Sequence, residues 1–291
     1  MTSRVELSRQ ALKAASNVRI AAKLAATSPL CVYDLIQQHF RDEIELRFQA
    51  LPSLEGMYSK TATGSVIIVS SLRPSGRRRF TAGHELGHHV FGHGTRLDEL
   101  VAEDRAGAFS PEEYLADCFS AFLQMPKLAV LKAFKSRGLD ISQPSPLDVY
   151  RVASFFGVGY TSLLTHLAVT LGILRSDAAR QLAKASPKAI RTEVLGMDWD
   201  GELHLVVARW DSGRAIDQMV GDAVLLPAGA RVEGERLAAL TMKRHDGELF
   251  EAVSPGIGRL EHACGWSAYV RVERREYAGR ALFRHEEECD D

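Results

Sequence analysis

The chain has 291 residues, of which 46% are hydrophobic and 25% charged. That is apolar material for a sizeable core and, by length, for roughly two domains. Its 36 Lys and Arg against 37 Asp and Glu leave it nearly neutral, which excludes a global electrostatic case for nucleic acid or an anionic membrane.

Residues 5–25 place Leu7, Ala11, Leu12, Ala15, Val18, Ile20 and Ala21 near helical spacing, and a second helix is expected from Val32 to Phe40, after the break at Ser28-Pro29. Glu43 to Phe48 alternates as a strand does. Met57 to Lys60 reads as a short strand, Ala62-Thr63-Gly64 as a turn, and Ser65 to Ser71 as the clearest strand of this half, rich in β-branched residues. A helix is expected from about Arg78 to Phe91, stopped by Gly92 and Gly94. Residues 95–110 read as a polar, partly helical connection. Ser110-Pro111-Glu112-Glu113 starts the next helix with a Ser cap, Pro at the first position and acids in the first turn; it runs to Gln124. Another helix covers about Leu128 to Arg137.

Pro144 and Pro146 mark a boundary, and residues 147–183 read as two or three helices with Gly157 and Gly159 in a turn. From about Thr192 onward, short apolar runs follow one another: Leu203 to Trp210, Ala223 to Leu226, Leu237 to Met242, Leu249 to Val253 and Ala268 to Val272. Asp200-Gly201, Asp211-Ser212-Gly213 and Asp246-Gly247 separate them, which predicts a β-rich domain. His285 to Asp291 is acidic and expected to fray. Cys31, Cys118, Cys264 and Cys289 form no CxxC pair, as befits a reducing compartment. The N-terminus lacks the apolar core of a signal peptide and no apolar run reaches about 18 residues, so a cytoplasmic protein without a membrane span is expected.

The chemistry is concentrated in His84-Glu85-Leu86-Gly87-His88. Two histidines four apart on a helix project from one face about one turn apart, a pairing that suits tetrahedral zinc. The Glu of such an H-E-x-x-H arrangement does not bind the metal. Glu85 would take a proton from the attacking water and pass it to the leaving amine. Glu113 and Asp117 repeat the i, i+4 spacing on the next helix. Glu113 is placed to supply the third ligand and Asp117 to accept the free ring N–H of a ligand histidine. Glu112 is the alternative in the same turn, but only Glu113 pairs with Asp117. His89 lies about 100° round the helix from His88 and His93 lies past the helix end, so both are read as solvated rather than as ligands. Manganese fits the same donors as zinc.

Arg78-Arg79-Phe80-Thr81-Ala82-Gly83-His84-Glu85-Leu86-Gly87-His88 resembles the R-x-F-T-x-x-H-E-L-G-H segment of ImmA/IrrE-type metallopeptidases, and residues 113–126 resemble their downstream E-x-x-A-[ND]-x-F-A-x-x-L-L-M-P segment. Ser120 and Gln124 depart from it mildly. The resemblance covers residues 10–137 well and extends more weakly to about 183. It implies a bacterial or phage regulator that cleaves a helix-turn-helix repressor and so induces a stress or mobile-element programme.

The expected architecture is α+β. A zincin-like, mostly helical metallopeptidase domain with a small β-sheet spans residues 1–143, a helical, helix-turn-helix-like bundle spans 144–190, and a β-rich domain, a candidate sensor or partner-binding module, spans 191–291. The strand Ser65 to Ser71 is expected as the sheet edge that holds an extended substrate. Arg73, Arg77, Arg78 and Arg79 form a basic cluster, either a solvated helix start or a dock for an acidic partner or DNA. The helix-turn-helix-like bundle offers His166 as the only cation of its second helix, which favours a structural or repressor-docking role over direct DNA binding. Trp210, Trp266 and Tyr269 are core by default, with a ligand surface as the alternative. Two rival functions stay open: a non-catalytic regulator that sequesters a repressor, and a peptidase acting as the toxic half of a toxin–antitoxin pair.

Overall fold

The computed structural model describes residues 3–62, 64–99, 109–207, 211–240 and 247–286. Thr63 of the expected turn, residues 100–108 of the connection, Trp210, Thr241, Met242, Asp246 and the acidic stretch 287–291 lie outside the described residues. Among the described residues the fold mixes helices with three sheets, and the chain divides into two compact units. Residues 1–182 with 278–281 form the first, and 183–277 with 282–291 the second. The bundle at 144–182 thus packs within the first unit rather than standing as the separate segment drawn from the sequence.

The first unit is built on a five-stranded sheet. Its strands are β1 (Ile44–Gln49), β2 (Leu54–Lys60), β3 (Ser65–Ser70), β4 (Arg96–Glu99) and β13 (Gly279–Arg280), in the order β13-β1-β3-β2-β4. β1 and β3 run parallel; the other pairs are antiparallel. Two expectations fail here. β3 is not an edge strand: it lies between β1 and β2, because its β-branched run is buried and bonded on both sides. The connection after the metal helix begins as β4 rather than as helix, because pairing with β2 satisfies its backbone.

Four helices layer over this sheet: two rest on its strands, a third packs on one of these, and the fourth packs on the third. Helix α1 (Arg4–Ala21) is capped by Ser3, whose Oγ accepts from the Glu6 amide at 3.2 Å. It buries a stripe of Leu7, Ala11, Ala15 and Arg19 against α4 (Pro111–Gln124), while Leu12 and Ile20 stay exposed. The Arg19 guanidinium donates to the carbonyls of Leu123 (2.7 Å), Ala25 (2.6 Å) and Ser28 (2.6 Å), and so satisfies the last turn of α4. Helix α4 in turn packs on α3 (Ser75–Val90), and α2 (Val32–His39) packs on α3 and β1.

Helices α5 (Lys127–Ser136), α6 (Pro146–Phe156), α7 (Tyr160–Thr165, continued by a π-turn over His166–Thr170) and α8 (Ser176–Leu182) complete the first unit. Helices α6 and α7 with its π-turn are bent by 105° around Gly157 and Gly159, within the helix-turn-helix range. This turn touches the start of α3: a Cβ on Gly76 would lie 2.6 Å from the Gly159 nitrogen. With the His166 Nε2–H bond to the Met125 carbonyl (2.9 Å) and the Phe122–His166 ring contact, that approach ties the bundle into this unit. No single helix among the described residues is long and apolar enough to cross a membrane; only α6 and α7 taken together reach that length, and they are bent.

The second unit opens with α9 (Pro187–Leu195), capped by Ser186, a helix that runs past the point, about Thr192, where the sequence was read as turning β-rich. Two four-stranded sheets follow. One orders β5 (Leu203–Leu205), β7 (Ala223–Pro227), β10 (Gly247–Ala252) and β9 (Leu237–Leu240); the other orders β6 (Ala215–Met219), β12 (Ser267–Glu273), β11 (Gly256–His262) and β8 (Ala230–Glu233). Val224, Leu226, Phe250, Leu260, Trp266, Val270 and Val272 share one core. Trp266 is therefore core, while Tyr269 is half exposed.

Candidate metal centre

Helix α3 carries the site because its composition lets it lie unusually close to its neighbours. A Cβ at Gly83 would lie 2.6 Å from Ser120 Oγ and 2.7 Å from Gln124 Nε2, and one at Gly87 would lie 3.1 Å from Ala116 Cα. Ser120 Oγ donates to the Phe80 carbonyl at 2.8 Å, and Gln124 Nε2 to the Arg79 carbonyl at 3.2 Å. The two residues read as mild departures from the family pattern thus lock α4 to α3 at fixed register.

That register brings the predicted donors together. His84 and His88 are buried on one face of α3, with their Nε2 atoms 2.9 Å apart. Glu113 Oε2 lies 3.1 Å from His84 Nε2 and 3.5 Å from His88 Nε2. Ser110 caps α4 by accepting from the Glu113 amide at 3.4 Å, yet the Glu113 carboxylate turns toward the histidines. One turn on, Asp117 Oδ1 accepts from His84 Nδ1–H at 2.8 Å. This fixes the His84 tautomer and leaves its Nε2 lone pair facing the triad.

The three donor atoms, all within 4.8 Å of one another, fit a small divalent cation. Metal–ligand bonds of about 2.0–2.1 Å at tetrahedral angles separate neighbouring ligands by about 3.3 Å, and the separations here bracket that value. Burial opposes charge on His84, but hydrogen bonds to Asp117 and Glu113 prevail and hold it well above the usual imidazole range. Hydrogen bonds to His84 and His88 hold Glu113 well below the usual carboxylate range. The site is built to gather positive charge.

Glu85 is fully buried on α3, against Gly56 of β2. A Cβ on Gly56 would lie 2.5 Å from Thr81 Cγ2 and 2.7 Å from Glu85 Oε1, so β2 needs glycine there to leave room for the carboxylate. This residue was not legible as part of the site: a lone glycine in a strand signals close approach without saying to what.

Three other readings need correction. His89 is not solvated: its Nε2 bonds Glu43 (3.2 Å) and its Nδ1 bonds the Tyr58 hydroxyl (3.2 Å), tying α3 to β1 and β2. His93 is not free in solvent either: its Nδ1 lies 2.8 Å from His88 Nδ1. The arginine cluster is neither a solvated helix start nor an open basic dock. Glu55 of β2, buried, pairs with Arg73 (3.4 Å) and Arg77 (2.8 Å), while Arg78 is buried over the Phe48 ring and Arg79 reaches the α6–α7 turn. Glu55 offsets the cost of cations at a helix N-terminus from within the protein.

Residues 43–167 match the model of the peptidase M78 family, described as the IrrE N-terminal-like domain. No curated protein was found to match the chain. The matched span runs from β1 into the π-turn after α7 and contains every residue of the triad.

Proposed function

Taking residues 43–167 as an IrrE N-terminal-like domain, matching the ImmA/IrrE family, we propose that the chain is a cytoplasmic zinc endopeptidase acting on a helix-turn-helix transcriptional repressor, whose cleavage induces a stress or mobile-element programme. The observation that carries the enzymatic part is the convergence of His84, His88 and Glu113 beside a fully buried Glu85. Sequestration of a partner needs no such base.

His84, His88 and Glu113 would hold zinc, which would supply Lewis acidity at the scissile carbonyl. The rest is the work of side chains. Glu85 receives the proton of the attacking water and returns it to the leaving amine. Asp117 holds His84 so that Nε2 faces the cation. The substrate lies extended along β4, whose outer edge pairs with no strand among the described residues, and is held there by main-chain hydrogen bonds. The exposed residues of α7, Thr161 and Thr165, are uncharged, and His166 is buried; this supports a docking or structural role for the bundle over DNA reading. The second unit selects the partner or governs activity.

The test is cleavage of a candidate repressor by wild type and Glu85→Gln, both at verified zinc occupancy. A discrete product from the wild type alone supports the reading, and mass spectrometry gives the bond. Zinc binding and a stable complex without cleavage by either protein would replace it with sequestration.

A further inference from the structure

Helix α3 ends at Val90 with Phe91 as its cap, and the chain turns through Gly92, whose φ of +69° is the left-handed conformation that favours glycine. The Gly92 amide donates to the His89 carbonyl and the His93 amide to the His88 carbonyl, each at 3.0 Å. These are the two bonds of a Schellman end, which folds the second residue past the cap back over the helix's last turn. In His88-His89-Val90-Phe91-Gly92-His93 the residues so juxtaposed are His93 and His88. An apolar pair commonly occupies these positions; here two imidazoles meet instead, ring centroids 5.0 Å apart, with Phe91 stacked on the far ring at 5.8 Å.

Their Nδ1 atoms are 2.8 Å apart, a distance that requires one donor and one acceptor. Nε2 of His88 already faces the triad, 2.9 Å from His84 Nε2 and 3.5 Å from Glu113 Oε2. For that nitrogen to offer a lone pair, the proton of His88 must sit on Nδ1. His93 Nδ1 is then the acceptor, and the His93 proton sits on its own Nε2. We infer that His93 is a positioning residue: it accepts the Nδ1 proton of His88 and thereby fixes the tautomer and ring angle that present Nε2 to the cation. Asp117 does the same for His84, so each histidine of the triad has its own acceptor, one a carboxylate and one a neutral imidazole. His93 does not ligate through Nδ1, which meets the edge of the His88 ring away from the triad. The inference rests on the proposed metal site.

Zinc affinity measured against a competing chelator separates the two. Loss of zinc by His88→Ala, with tight binding by the wild type, secures the site; a wild type that binds no zinc overturns both readings. His93→Asn keeps an acceptor where Nδ1 was, His93→Phe keeps a ring on Phe91 but no acceptor, and His93→Ala keeps neither. Near wild-type affinity is expected for Asn, and affinity weakened about 10–100-fold for Phe and Ala. Wild-type affinity in Phe or Ala, or an Asn variant as weak as Ala, overturns the inference. Should the variants fold poorly, nitrogen-15 spectra of the zinc-loaded wild type decide it: His88 must be protonated at Nδ1 and His93 at Nε2, and the opposite tautomer for either refutes the assignment.

Discussion

Glu85 and Asp117 differ in what they touch, and their variants should separate chemistry from metal binding. Glu85→Gln is expected to keep zinc and lose hydrolysis by about 10²–10⁴-fold, read as turnover at equal metal occupancy. Asp117→Ala is expected to weaken zinc by about 10–100-fold, read by chelator competition. A third residue, His166, makes the fold sensitive to acid. Burial pushes it down to about 4, against the ordinary 6.5, while its Nε2–H donates to the Met125 carbonyl at 2.9 Å. Between those values the unfolded chain takes up a proton that the folded protein refuses. The contribution of neutral His166 is complete above pH 6.5 and is lost as the pH falls toward 4, by up to about 3 kcal/mol. His166→Gln, which retains an N–H donor, should flatten that dependence in urea unfolding at pH 7 and pH 5. At this scale the sequence was most legible where helical spacing alone brings side chains together, as for His84, His88, Glu113 and Asp117. It misled where a partner arrives from elsewhere: Glu55 reaches the arginines from another strand, and His93 reaches His88 only through a left-handed turn.

Element packing is where glycine matters most. An alanine in the middle of a helix gains up to about 1 kcal/mol over glycine, but at Gly83 or Gly87 it meets α4, and overpacking costs about 1–3 kcal/mol. Gly83→Ala, which also intrudes on the Ser120 and Gln124 bonds, should be the worse of the two; thermal melts of both variants would check the order. Gly56→Ala presses on Glu85 itself and is expected to reduce turnover more than stability. Helix starts were legible by one signal used unevenly. Ser110-Pro111 opens α4 and Ser145-Pro146 opens α6, and the same pair at Ser186-Pro187 opens α9, which the sequence reading had not marked as a helix. Strand β4 carried no such mark. Four residues are too few for a period to show, and pairing with β2 decides their conformation.

For the molecule as a whole, the mixture of helix and sheet was legible in the sequence. The sequence could not place the bundle, because the contacts that join it to the rest of the first unit come from residues distant in sequence: Gly76 against Gly159, Arg79 at Gly157, and His166 on the Met125 carbonyl. Nor could it find β13, two residues long, which pairs Arg280 with Arg47 and Gly279 with Phe48 at the edge of β1. Arg280 Nε also donates to Glu45 at 2.9 Å. A chain stopped after Tyr277 should therefore exchange the amide hydrogens of β1 faster than the intact chain, and should aggregate more readily through the bared edge. Equal exchange in the two chains would show that β13 contributes nothing to holding β1.

The position of β13 also sets a clock. Glu45 and Arg280 are 235 residues apart. At about 5–20 residues per second of synthesis, roughly 10 to 50 s pass between the translation of β1 and the arrival of the strand that closes its edge. A nascent chain thus carries its triad and Glu85 complete while the sheet beneath them is still one strand short. The sheet beneath the candidate site is therefore completed long after the site's own residues have been made.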